Sequence, residues 1–80
     1  MTIKPAIVQR IKQLCQEQQI KPNELATRSG ITPSTIYSLL DETRKDVSVV
    51  TVKKICDGFE ISLGEFFGHE IFSKLEQEIK

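Results

Sequence analysis

The sequence is poor in what enzymes and exported domains use. It has one histidine (His69), two cysteines (Cys15 and Cys56), no net charge and no wholly apolar run beyond a few residues. A lone histidine without an acid–base partner, nucleophile constellation or glycine-rich phosphate loop supplies no catalytic inventory, so no enzyme is expected. A metal held by Cys15, Cys56 and His69 would need ligands with no close spacing, from helix faces better explained as core. No cofactor or metal is therefore expected. The short apolar runs exclude a membrane span, and the stretch before Pro5 lacks the apolar centre of an export signal. The reading is a cytoplasmic protein with reduced, buried thiols rather than a disulfide.

What is present points to a folded domain. Eighty residues are close to the least that one core can support unaided, which leaves no room for a separate catalytic domain. With 39% hydrophobic and 28% charged residues, the chain is too apolar and too mixed for disorder. Zero net charge argues at first against a polyanionic partner, but the distribution is uneven. Residues 1–56 hold nine Lys and Arg against five acids, and residues 57–80 hold two against six. A positive front and an acidic back let one face approach nucleic acid.

Apolar spacing is helical throughout, with no strand alternation and no repeat. Ile7, Val8, Ile11, Leu14 and Cys15 give a first amphipathic helix after Pro5, ending near Gln18 or Gln19. Pro22 suits the first turn of a second, short helix, with Glu24 near its amino end and Gly30 as its stop. Thr32 and Pro33 start a third, whose inward stripe is Ile36, Leu39 and Leu40, and the charged stretch from Asp41 to Asp46 reads as a loop. Ser48 caps a fourth with Val52, Ile55, Cys56 and Phe59 inward and Gly58 near its end. Ser62 and Glu65 form a capping-box pattern for a fifth, with Leu63, Phe66 and Phe67 as its apolar side. After Gly68, the stripe Ile71, Phe72, Leu75 and Ile79 predicts a short C-terminal amphipathic helix over residues 69–80, separate from a domain over residues 1–68.

The second and third helices carry a specific steric pattern. Ala26 is small where two helices must cross closely, and Gly30 can take the left-handed conformation that turns the chain sharply. Ile31 and Ile36 fill the wedge, with Leu25 and Leu39 completing it. This is how a helix-turn-helix holds its second helix out for the major groove.

On these residues the sequence resembles the DNA-binding domains of the Cro and CI-type repressors, the XRE family. RIKQLCQEQQIKPNELATRSGITPSTIYSLL is similar to that family's first three helices, and TVKKICDGFEISLGEFF to its fourth and fifth. The resemblance implies an all-α, five-helix, lambda-repressor-like fold that binds double-stranded DNA as a homodimeric repressor. It departs from the family at Pro22, where a phosphate-contacting Gln is common and Asn23 is left to take over. Cys15 and Leu40 stand where many members pair an Arg with a Glu, so both partners of a buried ion pair have become apolar together. Glu42 replaces a usual Gly after the third helix.

By the same resemblance, Pro33, Ser34, Thr35, Tyr37 and Ser38 are candidates for base contact, with Asp41 at the edge of that face. None is Arg, Asn or Gln, so bidentate readout is scarce and DNA shape must contribute to specificity. Phosphate contacts fall to Asn23, Arg28, Thr32, Thr43, Arg44 and Lys45, with Lys12 or Lys53 as further cations. The plainer alternatives are a solvated loop for Arg44 and Lys45 and a half-buried rim residue for Tyr37. The tail stripe either folds back on its own domain or meets a second copy across a two-fold axis. The second is preferred because two-fold operators need paired half-sites. A rival function is a protein-interaction module or antitoxin with weakened DNA contacts, favoured by the neutral charge, Pro22 and the acids near the third helix. No small-molecule ligand or membrane partner is evident.

Overall fold

The computed structural model describes residues 1–41, 43–44 and 46–79. Its helices are α1 (Ile3–Gln18), α2 (Pro22–Ser29), α3 (Pro33–Leu40), α4 (Val49–Phe59) and α5 (Leu63–Phe67), followed by a 3₁₀ turn (Glu70–Phe72); no strand occurs among the described residues. The all-α, five-helix expectation holds.

Local chemistry sets most helix ends. α1 begins at Ile3, which puts Pro5 inside the first turn, where a missing N–H breaks no helical bond. It stops because Gln19 turns left-handed at φ 56°, and the Ile20 N–H reaches back to the Cys15 carbonyl at 3.0 Å. Ser48 caps α4 by accepting from the Thr51 N–H at 3.0 Å. α5 has both halves of its capping box, Glu65 N–H to Ser62 Oγ and Ser62 N–H to Glu65 Oε1, each at 3.0 Å.

One core joins all five helices. Ile11 of α1, Leu25 and Ala26 of α2, Ile36 of α3, Ile55 and Cys56 of α4 and Phe66 of α5 are essentially sealed from solvent. Each large one contributes about 1.5–3 kcal/mol by its burial. α2 lies against α4 so closely that a Cβ on Gly58 would overlap Ser29 Oγ and come within 3.2 Å of the Ser29 nitrogen. Cys15 and Leu40 both pack on this core, as expected of an apolar substitute for an ion pair. Burial pushes both thiols up, and both are free.

Arg10 ties α5 to α1. Its Nε donates to the Phe66 carbonyl (2.8 Å), one terminal nitrogen to the Glu65 carbonyl (2.9 Å) and the other to Gln13 Oε1 (2.8 Å). A five-residue helix thus gains a cation at its negative end.

The tail differs from expectation. The amphipathic helix expected over residues 69–80 does not form among the described residues 69–79: helical structure stops after the single turn Glu70–Phe72, and the following described residues carry none. Twelve residues cannot hold a helix without packing along its length, and here stronger partners compete. The Glu76 N–H donates to the Met1 carbonyl (3.0 Å), the Glu76 carboxylate pairs with the Met1 ammonium (3.0 Å), and Glu78 Oε2 accepts from the Ile3 N–H (3.0 Å). Glu78 thereby serves the amino end of α1, where Thr2 makes no side-chain cap. Phe72 packs tilted against Phe66 and edge-on against Phe67, with ring centroids 6.0 and 4.9 Å away. The tail therefore folds back as a strap. It leaves Ile71 and Leu75 half-buried and Ile79 85% exposed.

Candidate nucleic-acid interface

The turn between α2 and α3 is built as its residues dictate. Gly30 sits at φ 69°, ψ 29°, its N–H bonds the Thr27 carbonyl (3.3 Å), and the Ile31 N–H closes on the Ala26 carbonyl (3.1 Å). Thr32 caps α3 by accepting from the Thr35 N–H at 3.3 Å, and the two hydroxyls also bond each other at 2.9 Å. With Ile36 and Leu39 buried, the opposite face must point outward. Pro33, Ser34, Thr35 and Tyr37 are exposed and Ser38 is half-buried. Tyr37, at 53% exposure, is more open than a rim residue needs to be.

The cations divide into engaged and open. Arg28 is held by Glu24 one turn away at 2.5 Å, both side chains near half exposure, a pairing of about 0.3–0.5 kcal/mol that a phosphate can displace. Lys53 is likewise paired with Asp57. Lys12 is exposed and borders grooves lined by Met1, α1 and tail residues, none of them from α3. Asn23 stands exposed in the first turn of α2, at the positive end of that helix. Arg44 is exposed beside α3 and lines a shallow groove of about 240 Å³ with Thr35, Ser38, Asp46, Ser48 and Thr51 at its polar positions and Leu39 and Val47 at its apolar ones. Lys45, the other expected loop cation, and Glu42 lie outside the described residues.

Thr43 is engaged within the loop. Its N–H and hydroxyl both donate to Asp41 Oδ1, at 2.9 and 2.7 Å. Those two bonds, with Arg44 and Lys4 nearby, hold the Asp41 carboxyl below its ordinary value, so a negative charge stays at the end of α3.

Lys4 escaped the sequence reading. It is 4% exposed, and its Nζ donates to the carbonyls of Asp41 (3.2 Å) and Arg44 (3.0 Å). Its only sequence signal is a lysine in the first turn of an amphipathic helix, which on pattern alone reads as solvated. His69, by contrast, lies where a helix-start residue should. Its Nδ1 accepts from the Ile71 N–H (3.1 Å), and its Nε2 is 3.3 Å from Gln13 Nε2. No cluster of three metal-ligating side chains occurs among the described residues, and none of the described helices is long and apolar enough to cross a membrane.

A helix pair with this turn, and a polar helix face standing clear of the core, defines the helix-turn-helix class of DNA-binding domain. The family model for the Cro/C1-type HTH DNA-binding domain matches residues 10–70, and the chain belongs to that family. No curated protein and no solved structure matches it. The family implies DNA binding, with transcription regulation as its setting.

Proposed function

We propose that the protein is a cytoplasmic, non-enzymatic transcriptional repressor that binds two-fold operators as a homodimer, with α3 in the major groove of each half-site. The observation that carries this reading is the outer face of α3, small, polar and free of the core, set on an intact turn beside the exposed Arg44. Pro33, Ser34, Thr35, Tyr37 and Ser38 meet base edges, and Asn23, Arg28, Thr32, Thr43, Arg44 and Lys45 meet the backbone. Thr32 and Thr43 spend their hydroxyls inside the protein, so their part is to present backbone and shape the loop. The pairing surface is an apolar groove of about 500 Å³ lined by Ile3, Ile7, Val49, Val52, Leu63 and Phe67, with exposed Ile79 on the tail adding to it. Asp46 and Val47 line both this groove and the one beside α3, which supports a reading in which pairing and DNA binding are coupled.

A second reading, a protein-interaction module or antitoxin on the same scaffold, is favoured by one observation. Two of the cations near the interface are already paired with carboxylates, and Asp41 remains charged at the end of α3. Titration of the protein against random-sequence duplex DNA at several salt concentrations separates the two. Under the repressor reading, binding appears at low salt and weakens steeply as salt rises, and the double variant Arg44→Ala/Lys45→Ala flattens that slope by about two units. Absence of binding even at low salt makes the interaction module the better account.

A further inference from the structure

We infer that Lys4 is a positioning residue for DNA binding: its buried ammonium holds the turn after the recognition helix and thereby sets where Arg44 meets the phosphate backbone. This rests on the DNA-binding reading of Arg44. α3 has no basic residue in its last turn, and its cap at Asp41 comes from backbone alone, through an N–H bond to the Ser38 carbonyl at 3.2 Å. A helix ending so leaves carbonyls pointing at nothing and a negative dipole end uncompensated. Lys4 supplies both needs from 37 residues away, donating at once to the Asp41 carbonyl where the helix stops and to the Arg44 carbonyl where the loop turns back.

The two anchor points bracket the turn closed by the Arg44 N–H on the Asp41 carbonyl (3.2 Å) and by the Thr43 bonds to Asp41. With Asp41 and Arg44 fixed to one ammonium, the Arg44 side chain starts from a set point beside Thr35 and Ser38. Burying an ammonium costs several kcal/mol unless its donors are used, so a lysine 4% exposed in a first turn is retained against a solvation cost. None of the described carboxylates forms an ion pair with it. Its partners are the loop's own backbone. Lys4 touches no nucleic acid in this scheme; it acts through Arg44.

A double-mutant cycle on the full chain tests this. The four proteins are the unaltered chain, Lys4→Met, Arg44→Ala and the pair, each titrated by fluorescence anisotropy against one mixed-sequence duplex over a salt series at a temperature where circular dichroism finds it folded. Lys4→Met is expected to weaken binding by about tenfold, the lower end of one charge-assisted contact, and to reduce the salt slope by about one unit. In the Arg44→Ala background the same change moves Kd by less than about twofold, because the contact it positions is gone. Additive losses would overturn the proposal, since Lys4 would then act by its own charge or by general stability. If Lys4→Met does not fold, Lys4→Gln, which keeps a donor for one carbonyl, takes its place in the cycle. A further readout needs neither variants nor DNA: in the free protein, the NMR signal of the Lys4 ammonium should exchange with water far more slowly than that of exposed Lys54. Equal exchange rates would show the ammonium unbonded and end the proposal, whereas an inert wild-type chain in the DNA titration with a protected Lys4 would instead remove the DNA-binding reading.

Discussion

Gly58 is the position where one added methyl group should be felt most. A Cβ there would overlap Ser29 Oγ and approach the Ser29 nitrogen and Cα at 3.2 and 3.3 Å, in the seam between α2 and α4. Overpacking costs about 1–3 kcal/mol, and an overlap backed by two close backbone contacts puts this site in the upper part of that range, about 2–3 kcal/mol. Alanine in a helix interior returns about 1 kcal/mol relative to glycine, so Gly58→Ala should lose about 1–2 kcal/mol net. The Ser29 hydroxyl is buried and has no hydrogen-bond partner, which leaves Ser29→Ala neutral or stabilising by up to about 1 kcal/mol. Combining the two removes the worst overlap and leaves backbone contacts that a few tenths of an ångström relieve. The double variant should therefore recover most of the Gly58→Ala loss, by more than Ser29→Ala alone stabilises the unaltered chain. Urea unfolding followed by circular dichroism measures all four proteins, and for a domain of this size each kcal/mol also moves Tm by about 4–8 °C. The steric account fails if Gly58→Ala is as stable as the parent, or if the two changes simply add.

Further outcomes follow from side chains that span the fold or close its turns. Arg10→Met should cost about 1.5–3 kcal/mol in thermal unfolding, because it strips α5 of two charged bonds to its last carbonyls; a change under about 0.5 kcal/mol would mean that the cap contributes little. Thr32→Ala should cost about 1 kcal/mol through the lost cap of α3 while leaving the salt slope of DNA binding unchanged. Leu40→Glu should destabilise strongly by placing an unpaired charge against the core, and Cys15→Arg in the same chain should recover much of that loss; no recovery in urea melts would mean that the two positions do not face each other. The Asp41 carboxyl, held low by its bonds from Thr43, contributes stability that is present above the ordinary carboxylate value of about 3.9 and is lost as pH falls through its lower folded value. Asp41→Asn should flatten that acid limb of the stability curve.

Helix existence and most helix ends were legible because their causes are local. Gly30, Thr32, Ser48 and the Ser62–Glu65 pair each act within a turn, and a reader of the chain meets cause and effect together. The outward face of α3 was legible for the same reason, since Ile36 and Leu39 fix the phase of the helix. What could not be read were side chains whose partners lie far along the chain. Lys4 and Arg10 look like ordinary solvated cations on α1 until the fold brings them to carbonyls 37 to 56 residues away. The tail misled in the opposite sense. Its spacing of Ile71, Phe72, Leu75 and Ile79 is helical, but the exposed N–H groups at the start of α1 and the Met1 ammonium compete for its glutamates, and nothing in the periodicity registers that competition.

Two of the helix stops are made by residues that would rather not be there. Gln19 at φ 56° and Glu60 at φ 61° both hold a left-handed backbone that disfavours side chains by about 1–2 kcal/mol, although glycine would adopt it freely. The scaffold is thus built below its own ceiling at two sites outside α3, the ends of α1 and α4. Under the proposed reading of α3 as the DNA-reading helix, Ser34→Arg would add a bidentate base donor, and glycine at these two turns would first raise the melting point and so keep the altered chain folded. New operator preference and fold integrity become separately adjustable in a chain of only 80 residues.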